Sequence, residues 1–101
     1  MTNFVLLATI TYYCACAKCT PRPVQPTAIG TKPIVGKTIA APRWVPLGTK
    51  VFISGIGWRV VHDRTALRFN GRWDVYVGAD RAAHRKALKL GKQKTYVRFE
   101  R

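Results

Sequence analysis

The chain has 101 residues, enough for one domain, and with 48% hydrophobic and 11% aromatic residues it is too apolar for a disordered tail. A chain of this size buries about 60–70% of its unfolded surface, which supports one core and excludes a second, so residues 1–101 are read as a single unit. Eighteen Lys and Arg against Asp63, Asp74, Asp80 and Glu100 give a net charge of +14, which favours an anionic partner (nucleic acid, acidic lipid or cell-wall polymer) without choosing among them.

Val5 to Tyr13 reads as a first strand. Its apolar start, Phe4 to Leu7, is interrupted by Thr9 and Thr11 and has no basic residue before it, so neither an export signal nor a membrane span is expected and the chain is read as made in the cytoplasm. Cys14, Cys16 and Cys19 are an odd number crowded into six positions, which suits a disulfide framework poorly; reduced thiols are the expectation, with a Cys14 to Cys19 bridge as the alternative. Zinc, with His62 or His84 as a fourth ligand, lacks a second cysteine pair, so no metal is expected. Residues 20–37 hold four prolines and two glycines and read as a long loop.

Lys50 to Ser54 and Trp58 to His62 are β-rich runs joined by Gly55-Ile56-Gly57, a hairpin signal. Arg72 to Val77 and Thr95 to Phe99 alternate polar and apolar residues as half-buried strands do. Between them Asp80 is placed to cap a helix, Ala83, Ala87 and Leu90 share one face of it, and Gly91 is placed to end it, leaving Arg81, Arg85, Lys86 and Lys89 to solvent. No internal repeat is visible. Five or six short strands with one helix predict a small closed β-barrel, because closure removes exposed edges.

Few residues could carry chemistry. Asp63 ends an apolar run, and Asp74 interrupts the strand Arg72-Trp73-Asp74-Val75-Tyr76-Val77 where a carboxylate is disfavoured. Asp74 either faces outward and pairs with one of the many cations, or it is employed. His62 adjoins Asp63 and could tune it, whereas His84 is expected to face solvent. Trp44, Trp58 and Trp73 are read first as core residues and second as platforms for sugar rings.

Five segments taken together are similar to the three-aspartate (3D) domain. Gly36 to Val51 resembles its "IAxDPxxIPLGTxV" stretch, Val61-His62-Asp63-Arg64-Thr65-Ala66 its "AxDTGG", and Trp73-Asp74-Val75-Tyr76-Val77-Gly78 its "xDIYxG". Tyr12-Tyr13-Cys14-Ala15-Cys16 resembles the family's "AYCxC" opening, and Ala87 to Gly91 its closing "EALxxG". The resemblance runs from about Thr9 to Phe99 and implies a six-stranded double-psi β-barrel with one short C-terminal helix, shared with the C-terminal domain of the membrane-bound lytic transglycosylase A family. It implies cleavage of peptidoglycan glycan strands without a cofactor, with Asp74 as general acid/base, Asp63 as its catalytic companion, and His62, Arg64, Thr65 and Tyr76 at the substrate. A partner such as a pore-former would then carry the protein to the wall. The chain departs from the family at Ala41, where an aspartate is expected, and at Thr65-Ala66, where two glycines are expected. Arg64 and Arg72 are expected to lower the aspartate pKa values, the wrong direction for an acid. The alternatives are a catalytically silent glycan-binding barrel and a basic nucleic-acid-binding module.

Overall fold

The computed structural model describes residues 3–14, 27–65 and 71–100. Its strands are β1 (Asn3–Tyr13), β2 (Thr38–Ala41), β3 (Lys50–Ile53), β4 (Gly57–Arg64), β5 (Arg72–Tyr76) and β6 (Gln93–Glu100), and its one helix, α1, is Arg81–Leu90. The strands close into a barrel in the cyclic order β1-β5-β2-β4-β3-β6. The expected closed six-stranded barrel with one short helix near the C-terminus is therefore present. The segments at 20–26 and 66–70, which include part of the expected loop, lie outside the described residues.

The pairings contain an order that the sequence hides. β1 runs parallel to β5 and β2 parallel to β4, while every other neighbouring pair is antiparallel. Exchanging β1, β2 and β3 with β4, β5 and β6 reproduces both the cyclic order and the parallel pairs. The chain is thus two interlocked three-stranded halves, the topology of a double-psi barrel, even though no sequence repeat survives.

Alternation builds the core. Ala8, Ile10, Ile39, Ala41, Val51, Ile53, Val61, Trp73, Val75, Val97 and Phe99 point inward and form one cluster, joined by Val45 from the β2–β3 connection. Each large side chain so buried contributes about 1.5–3 kcal/mol, and aliphatic and β-branched residues suit the closely spaced inner wall of a small barrel. Trp73 is fully buried, so of the three tryptophans it alone lies wholly in the core; Trp44 rests against Phe4 and Phe99 at one mouth and Trp58 is exposed.

β2 is the strand that local signals do not reveal. Its four residues are all buried, so it shows no polar–apolar alternation. Its register with β4 slips between Ile39 and Ala40: Ile39 pairs with Val61, Ala40 with Asp63, and His62 is the extra residue. A bulge of this kind turns successive side chains toward one face and so re-aims them.

The helix follows its local signals. The Asp80 carboxylate accepts the Ala83 N–H at 2.8 Å, and the Gly91 N–H donates to the Ala87 carbonyl at 3.1 Å. Ala83 is its buried residue and the helix packs on β1. Gly78 lies beneath it at φ 126°, where an added Cβ would stand 2.9 Å from that of Ala83, so both backbone conformation and space demand glycine. No described helix is long and apolar enough to cross a membrane.

Candidate acid site

Registered pairing places Thr11 beside Asp74, Asp74 beside Ala40, and Ala40 beside Asp63, across β1, β5, β2 and β4. Paired residues in a sheet share a face, and the alternate positions Ile10, Trp73, Val75 and Ile39 belong to the core, so this row lies on the outer wall. Strict alternation along β4 would turn Asp63 inward after Val61; the bulge at His62 brings it into the row instead. Two of the chain's four acids are thereby one strand apart on either side of Ala40.

The two carboxylates differ. Asp74 accepts a hydrogen bond from the Thr11 hydroxyl. Its burial holds the carboxyl pKa above the ordinary aspartate range, and this outweighs the Thr11 hydrogen bond and the Arg72 charge, which both act to lower it. The expectation that nearby arginines would control this pKa is corrected at Asp74: desolvation wins. Asp63 is a structural acceptor, with one oxygen taking the N–H of Ala28 at 3.1 Å and that of Arg64 at 2.9 Å, and so ties the 27–37 segment to the end of β4.

Tyr13 completes the group and escaped the sequence reading. Its hydroxyl is buried without a hydrogen-bond partner among the described residues. Burial raises its pKa first, and the negative charges of Asp63 and Asp74, both within electrostatic reach, raise it further. The phenol is therefore held neutral, as a donor. Tyr76 lies beside it on the same face, ring centroids 5.2 Å apart, with its own pKa raised chiefly by burial and then by Asp80. Because most buried hydroxyls are paired, an orphan O–H within electrostatic reach of two carboxylates is a signal only the folded structure provides.

The other expected substrate residues have local duties. His62 is 7% exposed; its Nδ1 lies 3.0 Å from the Thr38 hydroxyl, which accepts the Ile34 N–H at 2.8 Å. Burial and then the Lys37 charge push the His62 pKa down, so the ring is held neutral. Arg64 donates through Nη1 to the Arg43 carbonyl at 2.6 Å, and Thr65 is buried with its N–H on the Ala41 carbonyl at 3.1 Å. Of the four, Tyr76 shares the face of the acid row, and the bulge brings His62 to it as well, where it meets Thr38 on the Ala40 side of β2. Ala41, where the resemblance would place a carboxylate, is fully buried in the core. The β2 position in the row is Ala40, so an acid at 41 would sit inside the barrel and not beside Asp63 and Asp74.

The cysteine expectation is corrected. Cys14 is disulfide-bonded, with a partner outside the described residues, and so has no thiolate to offer a metal. His84 does not face solvent: its Nδ1 lies 3.8 Å from the Cys14 sulfur, because α1 packs on β1 at that point. Among the described residues no three His, Cys, Asp or Glu side chains gather in a way that could hold a metal ion. The sequence matches no protein-family model and no curated protein, so function is argued from this geometry.

Proposed function

We propose that the chain is a 3D-domain-like lytic transglycosylase that cleaves peptidoglycan glycan strands between N-acetylmuramic acid and N-acetylglucosamine. Asp74, protonated, gives its proton to the glycosidic oxygen as the C–O bond breaks. The resulting carboxylate then takes the proton of the muramic acid C6 hydroxyl, whose oxygen attacks the anomeric carbon of the same sugar. The product carries a 1,6-anhydro end and Asp74 regains its proton, so no placed water, metal or cofactor enters. Ordinary glycosidases need two working carboxylates, whereas this route needs one, with Asp63 shaping the loop beside it.

The observation that carries the reading is Asp74 itself: an outward carboxyl on an otherwise apolar strand, kept from ionising easily by burial, beside a buried hydroxyl donor with no partner of its own. The basic surface suits an anionic wall. The test is digestion of purified sacculi with mass spectrometry of the released muropeptides. Anhydro ends with wild type, and their loss with Asp74→Asn, are expected. Reducing ends would mean hydrolysis. Tight sacculus binding without release would make the barrel a glycan binder.

A further inference from the structure

The opposite wall of the barrel carries a second registered row. Val5 pairs with Arg98, Arg98 with Phe52, and Phe52 with Trp58, across β1, β6, β3 and β4. These side chains face out, since the alternating residues Val51, Ile53, Val97 and Phe99 are in the core. The Arg98 guanidinium lies over the Phe52 ring at 5.2 Å, and Phe52 meets Trp58 edge-on at 5.3 Å. Trp58 is nevertheless 58% exposed. It is a large aromatic held in place by its neighbours yet largely uncovered by them.

Two depressions adjoin Trp58 and share it and Lys50 as common walls. One, of about 500 Å³, is bounded by Gly36, Lys37, Arg59 and Val60; the other, of about 730 Å³, extends past Thr49 and Arg98 to Asn3 and Glu100. Adjoining at Trp58 and Lys50, they make one groove with Lys37, Lys50 and Arg98 as its cations and Glu100 as its acid at the far end, while Arg59 is half-buried with its Nη1 on the Trp58 carbonyl. Lysine and arginine donate hydrogen bonds and accept none. A sugar polymer presents hydroxyls that need both donors and acceptors, whereas a phosphodiester presents acceptors only, each carrying charge. Cations outnumber the side-chain acid Glu100 along the groove, which favours a polymer with charge on every unit, a phosphodiester, and Trp58 favours one that carries flat rings. A base already stacked in a duplex offers no free face to an exposed indole, so the strand must be single.

We propose that this groove binds single-stranded nucleic acid, with a base stacked on Trp58 and the backbone running along Lys37, Lys50 and Arg98. The groove is separate from the acid row and does not depend on the reading of Asp74. Phe52 and Arg98 hold the indole in position before binding, which reduces the ordering cost of capture.

The test uses the full chain and a fluorescent oligothymidylate of about twelve nucleotides, within the usual site size of small barrels, read by anisotropy. Three phosphate contacts predict a slope of log affinity on log salt of about −2, reduced by about 0.7 in Lys50→Gln. Trp58→Ala should weaken binding about tenfold, and an abasic strand of equal length should bind wild type about as weakly. Trp58→Phe should recover part of the loss, and circular dichroism checks that each variant is folded. Asp74→Asn should bind as wild type does, so loss of glycan cleavage and loss of this site are told apart. Equal binding of the abasic strand and oligothymidylate, or full binding by folded Trp58→Ala, would reduce the groove to a general charge sink and overturn the proposal. Trp58-dependent binding to sacculi or to phosphatidylglycerol vesicles, with none to oligothymidylate at physiological salt, would assign the groove to sugar or lipid instead.

Discussion

The two walls of the barrel are built alike and equipped oppositely. Each is a registered row across four strands: Thr11, Asp74, Ala40 and Asp63 on one side, Val5, Arg98, Phe52 and Trp58 on the other. The exchange of halves that preserves the topology turns each row end for end, setting Asp74 against Ala40 and Asp63 against Thr11 in the first, and Arg98 against Phe52 and Trp58 against Val5 in the second. The framework treats those partners as equivalent, so everything chemical lies in how the side chains depart from the repeat. The walls also differ in cover. The 27–37 segment takes Asp63 as an acceptor through Ala28, and α1 packs on β1 beyond Thr11; the second row has Val5, Arg98 and Trp58 exposed. Covering a carboxylate raises its pKa, whereas leaving cations and an indole open keeps them available to a charged polymer.

The largest effect that would sharpen this contrast is at Asp74. Asp74→Asn keeps the acceptor for Thr11 but cannot move a proton, so the rate of anhydro-end release should fall at least about 10²-fold. Stability should move the other way. A carboxyl whose pKa is raised by folding is stabilising when protonated, and this contribution is lost as pH rises from the unfolded value through the folded one. Thermal unfolding across pH should therefore show Asp74→Asn at least as stable as wild type at neutral pH, with the advantage shrinking in acid. A variant that lost stability at pH 7 would show that Asp74 is structural.

Next is the contact that seats α1. Gly78→Ala forces a side chain into a backbone at φ 126° and against Ala83, and should cost about 2 kcal/mol in urea unfolding. Because α1 packs on β1, whose C-terminal end carries Thr11 and Tyr13, the loss should come with reduced anhydro-end release and unchanged affinity for oligothymidylate. Equal damage to both readouts would mean that the walls are not independent.

Tyr13→Phe deletes the orphan hydroxyl and nothing else. Removing a buried, unpaired O–H does not destabilise, so the melting temperature should hold or rise slightly, while cleavage should fall about tenfold if the phenol donates to substrate beside Asp74. Unchanged turnover would restrict Tyr13 to packing against Tyr76.

These residues mark how far the sequence is legible. Asp80 and Gly91 announce the helix because capping chemistry acts within three or four residues, and Gly55-Ile56-Gly57 announces the hairpin for the same reason. Asp74 stands out because a carboxylate on an apolar strand is locally anomalous. β2 gives no such sign: four buried residues have no period. Nor does the bulge at His62, without which alternation would turn Asp63 away from Asp74. Thr11, Ala40, Asp63 and Asp74 meet only through the parallel crossovers of the barrel, and Tyr13 becomes conspicuous only once its hydroxyl is seen to lack a partner. Local chemistry was readable, and the juxtapositions produced by closure were not.

The smallest expected effect tests the joint between the walls. Lys37 lines the basic groove and also lies close enough to His62 to lower its pKa, while Thr38, the next residue, shares its hydroxyl between His62 and the Ile34 N–H. His62 is a buried neutral ring, so its folded pKa lies below the unfolded value of about 6.5. Above that value both states are neutral and pH has no effect through this group. As pH falls through it, the unfolded chain takes up a proton that the folded chain resists, and stability is lost until the folded ring also titrates. His62→Gln should remove that component from the stability profile below about pH 6.5. Lys37→Gln should reduce it, since the first cause, burial, remains and the second, the Lys37 charge, is gone. Nucleic-acid phosphates near Lys37 would offset the same charge, so oligothymidylate should move the His62 titration, followed by NMR, upward in wild type and less in Lys37→Gln. A His62 titration indifferent to oligothymidylate that binds through Trp58 would confine the ligand to the far side of the groove and leave the two walls uncoupled.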